Sequence, residues 1–303
     1  MSCPGHLEAL CARAVEPAGR GWRHIDMRAR ARLRYVVAAM AVCGLAGCGG
    51  TADGPLAGGP GTDGPQAPAA VASGGVDPTI LIGSWRVADA GDQSGAVVQF
   101  GAGDVQVRVD CGRLLGSWRA NPLGMFVAGI HGWDGQCTGD AAPGWLARAT
   151  GFRDHGDGPQ LLDRDGGITA RLVPAGTPQP GESTEPYATP APLPPGLVPA
   201  DAASLLGRWH PVESPASKAF LELARNGEWS GSDGCNGQGG RWVARPGGAL
   251  LATGGVSSLM ACDNQVPVGN WLSTAVRVGF DGTELVLLDM DGNPVGRLGG
   301  EPS

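Results

Sequence analysis

Cysteine is the residue type here whose number and spacing most constrain chemistry. The chain holds eight: Cys3, Cys11, Cys43, Cys48, Cys111, Cys137, Cys235 and Cys262. The last four fall in two pairs with nearly equal separations, about 26 residues each, which allows disulfides, a metal site or a redox pair. Zinc wants further ligands, and His131, His155 and His210 show no paired spacing. No Cys-x-x-Cys is present. Which chemistry applies depends on the compartment, and so on the N-terminus.

Residues 28–34 are Arg-Ala-Arg-Ala-Arg-Leu-Arg, and an uncharged stretch of 13 residues follows from Tyr35 to Gly47. A basic start and a short apolar run are the parts of a secretory signal, and the run is too short to span a bilayer. Met27 stands just before the basic run and is a candidate start. The stretch ends in Leu45-Ala46-Gly47-Cys48, which resembles the lipobox of bacterial lipoproteins, with Cys48 as the lipid-accepting thiol. The resemblance implies cleavage after residue 47 and lipid anchoring of residue 48. The expected location is therefore extracytoplasmic, on the cell membrane or the outer membrane. Cys3, Cys11 and Cys43 would be removed.

In an exported chain the remaining even set reads as disulfides, Cys111–Cys137 and Cys235–Cys262. Each would contribute about 3 kcal/mol on the loop-entropy argument. Residues 1–47 carry seven Arg and three acids, so the remainder holds 15 basic and 26 acidic residues. That acidity argues against nucleic acid as a partner and against anionic lipid as the anchor. A membrane contact through acyl chains is expected instead.

Two segments frame the rest. Residues 48–79 are Gly, Pro, Ala and Asp with few large apolar side chains, which predicts a flexible tether. Residues 174–204 are dense in proline, which predicts extended spacing. Between and after them lie two similar modules, 80–173 and 205–299. Leu81-Ile82-Gly83-Ser84-Trp85 aligns with Leu205-Leu206-Gly207-Arg208-Trp209, at an offset of 124. Cys111 and Cys137 align with Cys235 and Cys262. Leu161-Leu162-Asp163 and Asp165-Gly166 align with Leu287-Leu288-Asp289 and Asp291-Gly292, at 126. Such ordered matches read as an internal repeat of whole domains.

Within a module the elements are short, β-branched and punctuated by Gly or Asp-Gly. Phe220 to Ser230 reads as a hairpin about Asn226-Gly227, and 160–172 and 285–298 read as closing hairpins. One helix per module is expected, over 143–150 and 268–278. The fold class is mainly β, a β-rich α+β chain of two small antiparallel barrel-like domains, each of seven or eight strands around one short helix. Trp85 and Trp209 are expected as core anchors.

The second module carries Leu206-Gly207-x-Trp209, Gly234-Cys235-Asn236, Met260-Ala261-Cys262 and a final hairpin. In this order it resembles the META domain, also called the HslJ-like domain, of bacterial envelope proteins. The first module resembles a degenerate copy, with Asp110-Cys111-Gly112 and Gly135-Gln136-Cys137 at the two motifs. The resemblance implies a barrel-like fold in exported proteins linked to heat shock, drug tolerance or virulence. It brings no catalytic residues. Asn236 is expected to take a left-handed turn conformation or to cap a turn.

No nucleophile elbow or phosphate loop is present. Asp163–Gly166 and Asp289–Asn293 hint at calcium but read more simply as turns. His131 with Asp134 and Asp154 with His155 have no copy in the second module. No catalytic residue, metal ligand or cofactor is assigned. The expected function is a non-catalytic, monomeric envelope lipoprotein that binds an envelope protein or a small lipophilic ligand, or protects against envelope stress. The alternative is a hydrolase using acidic residues in a barrel mouth.

Overall fold

The computed structural model describes residues 75–137, 142–176, 188–214, 217–255, 257–258 and 260–300. Cys48, the signal-like segment and most of the tether lie outside the described residues. All the described residues belong to one compact unit.

Alternation of apolar and polar residues sets the strands. In the first module they are β1 (Gly83–Ala88), β2 (Val97–Phe100), β3 (Asp104–Val109), β4 (Gly112–Ala120), β5 (Phe126–Gly135), β6 (Gly151–Arg153), β7 (Gln160–Leu162) and β8 (Ile168–Pro174). Helix α1 (Gly144–Arg148) lies between β5 and β6. On β3, for example, Val105 and Val107 point into the core and Arg108 points out. A two-residue strand, β9 (Val198–Pro199), precedes the second module. That module comprises β10 (Gly207–Pro211), β11 (Phe220–Leu223), β12 (Glu228–Ser232), β13 (Gly237–Arg245), β14 (Ala249–Ala252), α2 (Val268–Thr274), β15 (Arg277–Asp281), β16 (Glu284–Leu288) and β17 (Pro294–Gly300).

The first sheet runs β5-β4-β3-β2-β1-β8-β7-β6, and its ends meet at a bridge between Met125 and Gly151. The second runs β14-β13-β12-β11-β10-β17-β16-β15, closed into a barrel by pairing of β14 with β15. The order is the same, element for element, and each helix sits at the same step. Among the described residues the fold is mostly β with two short α-helices, as the sequence led one to expect.

Each module buries its own core. Trp85 donates its indole N–H to Leu81 O at 2.7 Å, and Trp209 donates to Leu205 O at 2.9 Å. The leucine and tryptophan of the aligned motif are thus joined by a backbone clip in both modules, and both indoles are buried. The two Asp-Gly loops also match. Asp163 Oδ1 accepts from the amides of Asp165 and Gly167, and Asp289 Oδ1 from those of Asp291 and Asn293. These carboxylates hold hairpin turns.

Several boundaries differ from the sequence reading. Packing begins before residue 80: the Val76 amide donates to Pro122 O, and Asp77 caps a short 3-10 helix, Pro78–Leu81. The described end of the proline-rich segment, 188–204, is more than a spacer. Leu193 and Leu197 sit over Gly279, and Val198 pairs with Phe280 on β15. Leucines between the prolines give it an apolar face, and an edge position tolerates residues lacking an amide hydrogen. Helix α2 stops at Thr274, short of 278, because Val276 and Val278 are drawn into the core, the latter from β15. The hairpin at Asn226-Gly227 is a four-residue loop in which Gly227 alone takes the left-handed region, at φ +78°.

The modules meet through equivalent faces. Met125 and Val127 by β5 pack with Ala249 and Leu251 of β14, and 125 and 127 align with 249 and 251 at the same offset of 124. The contact has the character of a two-fold interface within one chain.

Candidate functional site

Arginines lock the two modules together. Arg119, on β4, reaches across to the second module and donates to Ala252 O at 3.3 Å, to Ala275 O at 3.5 Å and to Ser273 O. It therefore caps the carbonyl end of α2, where a cation is favoured. Burial pulls its guanidinium below the ordinary value. In the opposite direction Arg241 of β13 donates to Ala147 O near the end of α1. Burial lowers Arg241 too, partly opposed by Glu228. Arg245 adds contacts to Leu123 O and Gly124 O at 3.2 and 3.4 Å.

Beside these contacts the modules leave a cleft of about 680 Å³. Gly129, Ile130, His131 and Ala147 form one wall, and Glu222, Glu228, Trp229, Arg241 and Gly254 contribute to the other. The cleft is of a size that binds small molecules or a peptide side chain. Its two carboxylates already have partners. Glu222 pairs with Arg208 at 2.8 Å, and Glu228 lies 3.6 Å from Arg241 and accepts from Asn226. Trp229 gives its indole N–H to Thr253 O at 2.9 Å, so its ring is held as a fixed wall.

Both cysteine pairs are bonded, Cys111 to Cys137 and Cys235 to Cys262. In the second module the surrounding motif forms a clasp. Gly234 stands at φ +100°, a conformation open to glycine, and turns the chain between β12 and β13. Asn236 does not take the expected left-handed conformation. Its side chain is 4% exposed and grips the backbone of Met260 at two points, accepting from the amide at 2.7 Å and donating to the carbonyl at 3.0 Å. Asp233 holds the base of the clasp, accepting from the amides of Cys235 and Asn236 at 2.8 and 2.6 Å. Burial alone would push the Asp233 carboxyl up. Hydrogen bonds from the Asn236 amide, the Cys235 amide and the Asn236 side chain outweigh it and hold the group below its ordinary value.

The histidine pairs of the sequence do not form. Asp134 is ion-paired with Arg113, and Asp154 accepts from the Gly156 amide. The arginines at the module contact carried no local signal in the sequence. The one available hint was charge on β4 and β13 strands that otherwise face packing partners.

No curated protein and no solved structure matches the chain. Residues 204–300 match the META domain family, so the second barrel, with its clasp at Asn236, is a META domain.

Proposed function

We propose that the chain is a cell-envelope lipoprotein, anchored through acyl chains on Cys48, whose first module is a diverged second copy of the META domain. Its role is non-catalytic: the cleft between the modules takes an envelope protein segment or a small lipophilic molecule, in a protective or stress-linked setting. One observation carries this reading. Both modules build a single cleft, with aromatic and glycine walls, whose carboxylates are neutralised by arginines instead of standing free for acid–base work. The bonded cysteine pairs support an oxidising location.

The test is photo-crosslinking in intact envelopes, comparing the lipidated chain with Cys48→Ala and Gly254→Phe variants. A side chain at Gly254 meets open space, so the substitution obstructs the cleft without a clash. The wild type should partition with detergent and give a discrete crosslinked product. Cys48→Ala should move to the aqueous phase, and Gly254→Phe should lose the product while staying in the membrane. Membrane retention of Cys48→Ala, or an unchanged product with Gly254→Phe, overturns the corresponding half of the proposal.

A further inference from the structure

The two disulfides offer an incoming thiolate different targets. In the first module Cys137 is 7% exposed and belongs to the hydrophobic core, while its partner Cys111 is exposed. In the second module Cys262 is exposed and Cys235 is half-buried, and neither belongs to the core of that barrel. Every residue from Met260 to Gln265 is exposed around Cys262, Met260 by 56%.

Thiol–disulfide exchange makes two demands. A thiolate must reach one sulfur, and the other sulfur must leave as a thiolate. A thiolate is disfavoured in apolar surroundings. Attack on Cys111 would therefore leave charge on Cys137 among core side chains, and attack on Cys137 would have to enter that core. The second pair meets neither obstacle. Cys262 stands on an exposed turn, where Asn264 takes the left-handed region at φ +59°. Cys235, as the leaving group, is partly open to water. Its Sγ lies 3.9 Å from Met260 O, within reach of an S–H once reduced. The Asn236 side chain grips Met260 without using the bond, so the two sulfurs stay neighbours after reduction and can be rejoined.

We propose that Cys235–Cys262 is a reversible redox site whose partner is a protein dithiol of the Cys-x-x-Cys kind. One thiolate of the dithiol attacks Cys262 Sγ. The bond between the two Sγ atoms breaks, and Cys235 leaves with the electron pair and takes a proton from water. The second thiol of the dithiol gives up its proton and attacks the dithiol's own sulfur in the mixed disulfide. Cys262 leaves and is protonated in turn. The dithiol is oxidised to a disulfide, and the pair gains two electrons and two protons. Cys111–Cys137 stays bonded. The site does not depend on what the cleft between the modules binds.

The test uses the full oxidised chain at neutral pH, reduced with dithiothreitol and quenched at intervals with iodoacetamide. Mass spectrometry of the labelled peptides should show Cys235 and Cys262 opening about tenfold or more faster than Cys111 and Cys137. The near-ultraviolet circular dichroism of the buried tryptophans should persist while the second pair is reduced, which places the exchange in the folded chain. In urea the difference should vanish, because the loops span 26 and 27 residues and burial is gone. A Cys-x-x-Cys protein whose second cysteine is replaced by serine should be trapped as a mixed disulfide on Cys262. Equal rates in the folded chain, a difference that persists in urea, or loss of the dichroism signal as the second pair opens overturns the proposal. So does trapping on Cys111 or Cys235, or no trapped product.

Discussion

The first and second modules wind eight strands in the same order, yet they close their cysteine corners by different means. In the first, the ladder between β4 and β5 runs all the way to the disulfide: Gly112 faces Gly135, and the Gln136 amide donates to Cys111 O at 2.7 Å. In the second, the β13–β14 ladder ends at Trp242 and Ala252, and among the described residues it is continued by the Thr253 amide donating to Arg241 O, a bridge from Gln238 to Ser257 and the Ser258 amide donating to Gly237 O. The disulfide and the Asn236 grip on Met260 do the work that a ladder does in the first module. Strand order is therefore carried by features the modules share, the Leu-to-Trp clip and the Asp-Gly turns. The corners are free to differ once those are in place.

If the clips are equivalent, breaking either should hurt equally. Trp85→Ala and Trp209→Ala each remove a buried indole and should cost about 3–5 kcal/mol, read from urea unfolding of the full chain. A loss below about 1 kcal/mol in one module would mean that its clip is not a shared organising feature.

The disulfides should separate the modules. Their loops span 26 and 27 residues, so replacing either pair by serines should cost similar global stability, about 3 kcal/mol. Local behaviour should diverge. Without Cys235–Cys262, amides near Met260 should exchange with solvent much faster, because Met260 itself is held by the Asn236 side chain. Without Cys111–Cys137, those of β5 should stay protected. Equal loosening in hydrogen exchange would show that the ladder does not stand in for the bond.

Coupling between modules rests on the arginines. Arg119→Met keeps the aliphatic stem but leaves the carbonyls at the end of α2 unpaired, at a cost of about 1–3 kcal/mol. It should split one cooperative unfolding transition into two. Arg208→Met, which breaks a half-exposed ion pair with Glu222 at 2.8 Å, should cost less than about 1 kcal/mol and leave the transition single. A single transition in both variants would locate the coupling in the Met125–Leu251 apolar patch instead.

Much of this was legible in the sequence. Strand alternation, the paired cysteines and the Asp-x-Asp-Gly turns are local signals, and each maps to the expected element. What escaped was long-range. Arg119 meets carbonyls more than 130 residues away, and nothing near it in sequence marks it as a buried cation. The end of α2 was misread because Val276 and Val278 fit helical spacing while their β-branched side chains serve the barrel. Asn236 was expected to take a left-handed turn conformation or to cap a turn, and its side chain acts across 24 residues on Met260.

The smallest effect concerns acid. The Asp233 carboxyl is held below its ordinary value, so in the folded state it stays ionised to lower pH than in the unfolded chain. The sign follows: its contribution is present above the unfolded value, near 3.9, and is lost as pH falls through the lower folded value. Asp289, held down by hydrogen bonds from Asn293 and Asp291 against the upward push of burial, acts in the same direction. At the corner of the first module, Asp110 precedes Cys111 and has no Asn236-like residue beside it. Acidification below pH 4 should therefore loosen the Asn236 clasp before the Cys111–Cys137 corner, with amides near Met260 losing protection first. Asp233→Asn should flatten that dependence while weakening the clasp at neutral pH, since an amide accepts less strongly than a carboxylate from the Cys235 and Asn236 backbone. If the two corners lose protection together in the wild type, and Asp233→Asn leaves the acid profile unchanged, the carboxylate is not what makes the second corner different.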